Sequence, residues 1–227
     1  MPYDNAIAKA NVPLKALNEK DRHEMLRILQ EHNPNPKSAL NFKNPFELLC
    51  AVVLSAQTTD IAVNKVTEEL FKKAPDALAM SKLSVDEIAS MIKRLGLWSN
   101  KSKHLKALAE TLVSDYKGQV PKTYEDLIKL PGVGGKTANV VLNVAFNVPV
   151  IAVDTHIFRV CNRTGLCYGK NAQSVQKQLP DLIDEEFKLP AHHLLLLHGR
   201  HVCTARNPKC DECIIKHLCI SFKNINK

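Results

Sequence analysis

The 227-residue sequence lacks any long apolar run, and the longest, residues 48–54, is far too short to cross a bilayer. The first twenty residues mix polar and apolar types and include Asp4, so they resemble neither a secretory signal nor an Arg-rich transit peptide. The sequence also has no internal repeat and no low-complexity stretch. These absences argue against the membrane-spanning, secreted and repeat-array classes, and they predict a cytoplasmic protein with no membrane partner.

Acidic residues are scarce in two segments. The net charge is +8 and the pI is about 9.1. Residues 93–106 contain five bases and no acid, and residues 188–227 contain seven bases and two acids. Basic charge gathered in a few segments suits a polyanion such as DNA, whereas a solvated basic surface is the plainer alternative.

Strand signals are nearly absent. Residues 148–153 are rich in β-branched side chains, but no second segment with matching alternation is available to pair with them. Helix formers with apolar residues three and four positions apart predominate instead, separated by Gly and Pro. They predict helices over 22–31, 45–56, 61–72, 85–95, 102–116 and 173–179. The sequence therefore predicts an all-α fold with two helical lobes.

A glycine-rich segment, residues 131–136, joins two further predicted helices. Thr123 followed by Asp126 is typical of a capping box at the start of the first of them. The glycines permit a tight reversal and let backbone N–H groups at the start of the second helix approach an anion such as a DNA phosphate. A nucleotide-binding P-loop requires a glycine where Leu130 stands, and a strand before it, so that interpretation fails. A plain connecting turn is the remaining alternative.

Four of the seven cysteines lie within residues 203–219, with the spacing C-x6-C-x2-C-x5-C. A disulfide framework is unexpected in a chain of this size without a secretory signal, so the cluster predicts a metal site. The spacing by itself fits both zinc and iron–sulfur ligation. The remaining cysteines, Cys50, Cys161 and Cys167, are predicted to be buried small hydrophobes. His198 and His201 are predicted to be packing or surface residues.

Residues 130–138 (LPGVGGKTA) resemble the helix-hairpin-helix of the endonuclease III family of DNA glycosylases. Three further segments agree in order and spacing: residues 54–60, residues 153–165 and the cysteine cluster. The resemblance implies a helix-hairpin-helix DNA glycosylase fold with a C-terminal [4Fe–4S] loop. It also implies a six-helix domain over 38–148, and an iron–sulfur cluster domain formed by 1–37 together with 149–227.

The resemblance implies a base-excision repair enzyme that removes oxidised pyrimidines and cleaves 3′ to the lesion by β-elimination through a lysine Schiff base. Lys136 is then the Schiff-base lysine and Asp154 the catalytic aspartate. From the residue alone, a lysine that contacts a phosphate or solvent is the favoured interpretation of Lys136, and Asp154 is expected to cap the helix that follows it. The implied partner is duplex DNA containing damaged bases or abasic sites, bound by a monomer in the bacterial cytoplasm and associated with the nucleoid.

The resemblance assigns further residues to the cluster and to DNA. The implied ligands of a [4Fe–4S] cluster are Cys203, Cys210, Cys213 and Cys219. The implied DNA-binding residues are Gln57 and Leu97, which enter the duplex, with Gly132 and Gly134 in the hairpin and Arg206 and Lys209 in the cysteine loop. For Arg206 and Lys209, solvated charges are an equal alternative.

Two other functions compete with this one. An adenine glycosylase of the same superfamily carries an additional C-terminal recognition domain, for which the eight residues after Cys219 leave no room, and the presence of Lys136 also argues against it. A non-catalytic DNA-binding module that uses the hairpin and a zinc site is the alternative from a different class. A covalent adduct with DNA separates both from the bifunctional enzyme.

Overall fold

The structure is a computed structural model that describes residues 16–225, and every regular element in that range is helical, which confirms the all-α prediction. In chain order the helices are α1 (Glu19–His32), α2 (Pro45–Leu54), α3 (Asp60–Lys73), α4 (Ala77–Lys82), α5 (Val85–Ile92), α6 (Trp98–Tyr116), α7 (Tyr124–Leu127), α8 (Gly135–Phe146), α9 (Thr155–Thr164), α10 (Ala172–Leu182), α11 (Glu185–His201) and α12 (Ile220–Ile225). None of them combines the length and the apolar composition that a bilayer crossing requires.

Two compact units make up the described chain: residues 38–148, and the flanking residues 16–37 and 149–225. The described part of the first unit contains α2 to α8, which is seven helices where six were expected. The additional one is α4, whose six residues are too few to show helical periodicity in the sequence. Its start is fixed by Asp76, which accepts a hydrogen bond from the Ala79 backbone N–H at 2.7 Å.

Helix α2 forms the centre of the 38–148 unit. Asn44 caps it by accepting from the Glu47 N–H at 2.9 Å, and Pro45 occupies the first turn, where its missing N–H costs nothing. Every residue from Phe46 to Leu54 is buried, and all of them except Glu47 are apolar. The Glu47 carboxylate accepts a hydrogen bond from the Lys43 N–H at 2.6 Å. It packs against α3, α6 and α8. Residues 55–59, which connect α2 to α3, therefore follow a helix that is fixed by packing on several sides.

The other unit is built around α9 and α11, which pack against each other. Helix α1 packs on α11, while α10 and α12 pack on α9. The shared core includes Met25, Ile157 and Leu195, all fully buried, and each such side chain contributes about 1.5–3 kcal/mol through burial. The periodicity in the sequence did not reveal α11 because Pro190 interrupts it, and the helix nevertheless continues through this proline.

Candidate functional site

The predicted hairpin consists of α7, a turn over residues 128–134, and α8. Thr123 caps α7 by accepting from the Asp126 N–H at 3.3 Å, which confirms the predicted helix start. Gly132 has a φ of +77°, in the left-handed region that favours glycine. A Cβ on Gly132 would lie 2.9 Å from the Cβ of His104 on α6. The turn thus requires glycine here both for its backbone conformation and for its packing.

Helix α8 begins without a side-chain cap. Its N-cap residue is Gly134, and a Cβ on Gly134 would meet nothing within 4 Å. Lys136 is the second residue of the helix and its side chain is exposed. The first N–H groups of a helix have no intrahelical partner and carry the positive end of the helix dipole. The start of α8 is therefore suited to bind an anionic group beside Lys136.

Asp154 is the N-cap of α9, as the sequence predicted. Its Oδ1 accepts hydrogen bonds from the backbone N–H groups of His156 and Ile157, both at 2.9 Å. The side chain is partly exposed. Two backbone donors therefore fix the orientation of a carboxylate that solvent or substrate can still reach.

Arg159 joins α9 to the end of α11. Its Nη2 donates to the carbonyl of Gly199 at 2.7 Å, and its Nε donates to the carbonyl of Cys203 at 2.8 Å. Nη2 also lies 3.2 Å from Nδ1 of His156, which must be the acceptor because a guanidinium has only donors. Burial lowers the pKa of His156, consistent with a neutral ring. Arg159 thus fixes the ring of His156, two residues after Asp154, through a hydrogen bond to Nδ1.

Gln57 and Leu97 occupy two exposed bends of the 38–148 unit. Gln57 lies between α2 and α3 with a φ of +54°, and Leu97 lies directly before α6 with a φ of +58°. Leu97 is 55% exposed, so it is not part of the hydrophobic core. Trp98 beside it is also exposed. At both bends an exposed side chain is attached to a backbone conformation that residues other than glycine rarely adopt.

The four clustered cysteines line one cavity of the flanking unit. Its remaining walls come from apolar, cationic and polar residues, which are Thr164, His198, Val202, Pro208, Lys209, Ile215, Lys216 and Phe222. All four thiols are free, with no disulfide. Burial raises the pKa of Cys203 and Cys219 and raises that of Cys213 to about 11. Four thiols in such a place are costly to ionise unless a metal compensates the charge.

Two basic side chains contact these thiols. Nη1 of Arg163 lies 3.8 Å from Sγ of Cys203, and Nε2 of His198 lies 3.7 Å from Sγ of Cys213. Arg163 is buried and also donates to the carbonyl of Thr204 at 2.7 Å. The sequence predicted that His198 is either a packing residue or a surface residue, and it is a buried packing residue. Its contact with a cysteine was not predicted. Burial lowers the pKa of His198 to about 4.

Arg206 and Lys209 lie in the loop between the first two cysteines, and both are exposed. The loop is closed by a hydrogen bond from the Lys209 N–H to the Val202 carbonyl at 3.0 Å. Thr204 Oγ1 donates to the carbonyl of Arg206 at 2.8 Å. The loop therefore has a defined backbone that presents two cations to solvent.

Known proteins share this arrangement. Residues 50–185 match the HhH-GPD superfamily of base excision DNA repair proteins, and residues 203–219 match the iron–sulfur binding domain of endonuclease III. Endonuclease III of Escherichia coli K12 is 49% identical over 203 residues, which cover 89% of this chain and 96% of that one. The chain belongs to the endonuclease III family.

Solved structures support the same assignment. A trapped endonuclease III–DNA covalent intermediate and a non-covalent endonuclease III–DNA complex each match with a TM-score of 0.85 and 40% identity, over 93% of this chain and 100% of theirs. This endonuclease III family member is a DNA-binding, base-excision repair glycosylase for oxidised pyrimidines, with abasic-site lyase activity. The predicted family, fold and function are confirmed.

The cofactor of the enzyme is a [4Fe–4S] cluster, and the cysteine cavity fits it. Such a cluster is held by four thiolates, and this cavity supplies four thiols and two nearby basic groups.

Proposed function

We propose that Lys136 and Asp154 carry out the chemistry of base excision. The neutral amine of Lys136 attacks C1′, the C1′–N bond breaks, and the base leaves with the bonding electrons. The Asp154 carboxylate stabilises the positive charge that develops on the sugar and accepts the proton that the amine loses. The C1′–O4′ bond of the sugar then breaks, O4′ takes up a proton, and C1′ and the Lys136 nitrogen form a Schiff base. The Schiff base acidifies the C2′–H bond, and loss of that proton expels the 3′ phosphate. The observation that carries this proposal is the carboxylate of Asp154, oriented by two backbone N–H groups.

The hairpin residues Gly132 and Gly134 are proposed to bind a DNA phosphate. Gly132 makes the reversal that precedes α8, and Gly134, its N-cap, has no side chain that could bond to the first backbone N–H groups. Backbone donors at a helix N-terminus bind phosphate without reading the base sequence. This contact would set the register of the enzyme on the duplex.

Replacing Gly132 by Ala should weaken DNA binding more than replacing Gly134 by Ala. The first substitution puts a Cβ 2.9 Å from the Cβ of His104 at a φ of +77°, whereas the second meets nothing within 4 Å. A strained left-handed residue costs on the order of 1–2 kcal/mol before the clash is counted. Fluorescence anisotropy with an uncleavable abasic-site duplex measures the difference, with the melting temperature recorded in parallel. Equal affinities for the two variants would contradict the proposal.

Gln57 and Leu97 are proposed to enter the duplex when the damaged nucleotide leaves it. An enzyme that acts on a base must extrude it and fill the gap. An exposed amide and an exposed leucine on neighbouring bends supply a polar and an apolar group for this purpose. Arg206 and Lys209 are proposed to contact phosphates, since their loop presents both cations to solvent.

The ligands of the [4Fe–4S] cluster are proposed to be Cys203, Cys210, Cys213 and Cys219. These four thiols line one cavity, and the lining of that cavity does not include Cys50, Cys161 or Cys167. When bound, the cluster supplies a fixed attachment point that ties the loop bearing Arg206 and Lys209 to the rest of its unit. The residues 16–37 with 149–225 are accordingly proposed to be the iron–sulfur domain, and residues 38–148 the domain of the hairpin.

Replacing Cys210 by Ser should lower the iron and sulfide content of the purified protein and weaken its DNA binding. A hydroxyl is a poor substitute for a thiolate, and a cluster with three good ligands is readily lost. Cys50→Ala is the matched control, because Cys50 is buried in the 38–148 unit and does not line the cavity. Iron and sulfide assays with visible absorption check this prediction. Full iron content in Cys210→Ser would mean that another side chain is the ligand.

We also propose that the enzyme acts as a monomer, and that it works in the bacterial cytoplasm on the nucleoid. Analytical ultracentrifugation with and without DNA tests the first proposal. Each damaged base is excised by one active site, and the proposed catalytic and DNA-contacting groups all come from one chain. A stable dimer that loses activity on dilution would overturn the proposal that the enzyme acts as a monomer.

The decisive experiment combines a panel of damaged duplexes with borohydride trapping. Wild-type enzyme should release oxidised pyrimidines but not adenine opposite an oxidised purine, and borohydride should yield a covalent protein–DNA adduct. Peptide mass spectrometry should locate that adduct at Lys136. An adduct located at any other amine would overturn the assignment of the nucleophile, and the absence of any adduct would overturn the lyase chemistry.

A further inference from the structure

Lys101 is a buried lysine in the first turns of α6. Its side chain is 4% exposed, although lysine is almost never fully buried unless it is paired. Its Nζ donates a hydrogen bond to Oγ1 of Thr58 at 2.7 Å. Within residues 16–225 no ion pair involves this ammonium group, and burial lowers its pKa. A methionine would fill the same space without the cost of burying a charge, so core packing alone does not explain the lysine.

The hydrogen bonds of Lys101 reach both exposed bends. Its backbone N–H donates to the carbonyl of Leu97 at 3.0 Å. Thr58 directly follows Gln57, and its Oγ1 donates to the carbonyl of Ala56 at 3.3 Å. A continuous path of hydrogen bonds therefore runs from Leu97 through Lys101 and Thr58 to Ala56, the residue before Gln57.

Both bends need an external constraint. Gln57 and Leu97 have φ values of +54° and +58°, which residues other than glycine rarely adopt. The side chains of both residues are exposed. Conformations of this kind persist where the surrounding structure determines them. Helix α6 has no side-chain cap at Leu97 to supply such a constraint. The hydrogen bond between Lys101 and Thr58 is a side-chain contact that links the two bends directly.

We infer that Lys101 is a positioning residue for base extrusion, which holds the Gln57 and Leu97 bends at the separation that a duplex requires. The inference rests on the proposed function of Gln57 and Leu97. Lys101 acts through Thr58 and not as a DNA contact in this inference, because only 4% of the residue is exposed and its Nζ donates to Oγ1 of Thr58. Its effect is to pre-organise two groups that must enter the duplex together.

Lys101→Met in the cluster-loaded enzyme tests the inference. Single-turnover excision of an oxidised pyrimidine from a fully paired duplex should slow by between about tenfold and a hundredfold, the scale of a displaced positioning group. The same lesion in an unpaired bubble needs no extrusion, so its excision should change by less than about threefold. The fluorescence rise of 2-aminopurine beside the lesion should slow in parallel with excision from the paired duplex. The melting temperature should stay within about 4 °C of wild type, the shift that roughly 1 kcal/mol produces.

Three controls make the outcome specific. Thr58→Val should reproduce the loss, and combining it with Lys101→Met should add little, because both remove the hydrogen bond between Lys101 and Thr58. Thr58→Val also removes the hydrogen bond to the Ala56 carbonyl, so its loss should be at least as large as that of Lys101→Met. Lys103→Met removes an equal charge from an exposed position of the same helix and should affect paired and unpaired substrates alike. Lys101→Arg retains a donor and should restore part of the rate.

The failure of this inference is distinguishable from that of the proposed function. If Leu97→Ala and Gln57→Ala slow excision from the paired duplex but Lys101→Met does not, the bends act without this constraint and the inference is wrong. An equal loss on paired and unpaired DNA with a lower melting temperature would also overturn it, since that is the signature of a folding defect. If neither bend variant affects the paired duplex, the proposed roles of Gln57 and Leu97 fail instead.

Discussion

Lys136→Ala is expected to abolish the borohydride-trapped adduct and to reduce strand cleavage on the order of 10³-fold or more, the scale observed when a nucleophile is removed. Alanine has no amine and cannot form the Schiff base from which β-elimination proceeds. The fold should survive, because alanine is the best helix former and the N-cap of α8 is the backbone of Gly134, which the substitution does not alter. Trapping and gel-resolved cleavage of a damaged duplex measure the two effects.

Lys129→Ala is the matched control for this experiment. Lys129 lies in the same hairpin, is exposed, and forms a surface ion pair with Asp126 at 2.8 Å. Exposed pairs of this kind contribute little to stability, so the variant should trap and cleave like wild type. A trapped adduct of normal yield in Lys136→Ala would contradict the prediction and would assign the Schiff base to another amine.

Local sequence rules predicted much of the fold. Helix α2 was foreseen from local signals, because helix formers with apolar residues three and four positions apart begin at Pro45. The capping roles of Thr123 and Asp154 were foreseen for the same reason, since a cap depends on residues two or three positions away. Helix α11 was not foreseen because Pro190 conceals its periodicity, and only tertiary packing reveals that the helix continues.

Long-range contacts account for what the sequence did not show. Lys101 bonds to Thr58, which is 43 residues away, and Arg163 bonds to Thr204, which is 41 residues away. Nothing in either local segment signals these pairs, and a lysine in a basic stretch is normally taken as a DNA contact. The spacing of the cysteines predicted a metal site, but the proximity of Arg163 and His198 to their sulfurs depends on the packing of α9 and α11.

Asp154→Asn is expected to reduce single-turnover base excision by about 10²- to 10⁴-fold, the range for a group that transfers a proton in the transition state. The amide removes the negative charge that stabilises the sugar cation and cannot accept the proton of the attacking amine. Asparagine is as good an N-cap as aspartate, so the hydrogen bonds to the His156 and Ile157 N–H groups are retained. Rapid-quench excision assays and thermal unfolding of the same preparation measure both properties.

A comparison of two substitutions and two substrates separates the carboxylate's chemistry from its capping role. Asp154→Ala removes the cap as well as the charge and should cost an additional 0.5–2 kcal/mol of stability, or about 1 kcal/mol at the centre of the range. At a preformed abasic site the C1′–N bond is already broken and no sugar cation has to form. Lyase activity of Asp154→Asn should therefore fall less than its excision of a damaged base. If Asp154→Asn excises bases at the wild-type rate while Asp154→Ala does not, the side chain serves α9 as a cap, and the catalytic carboxylate must be sought elsewhere.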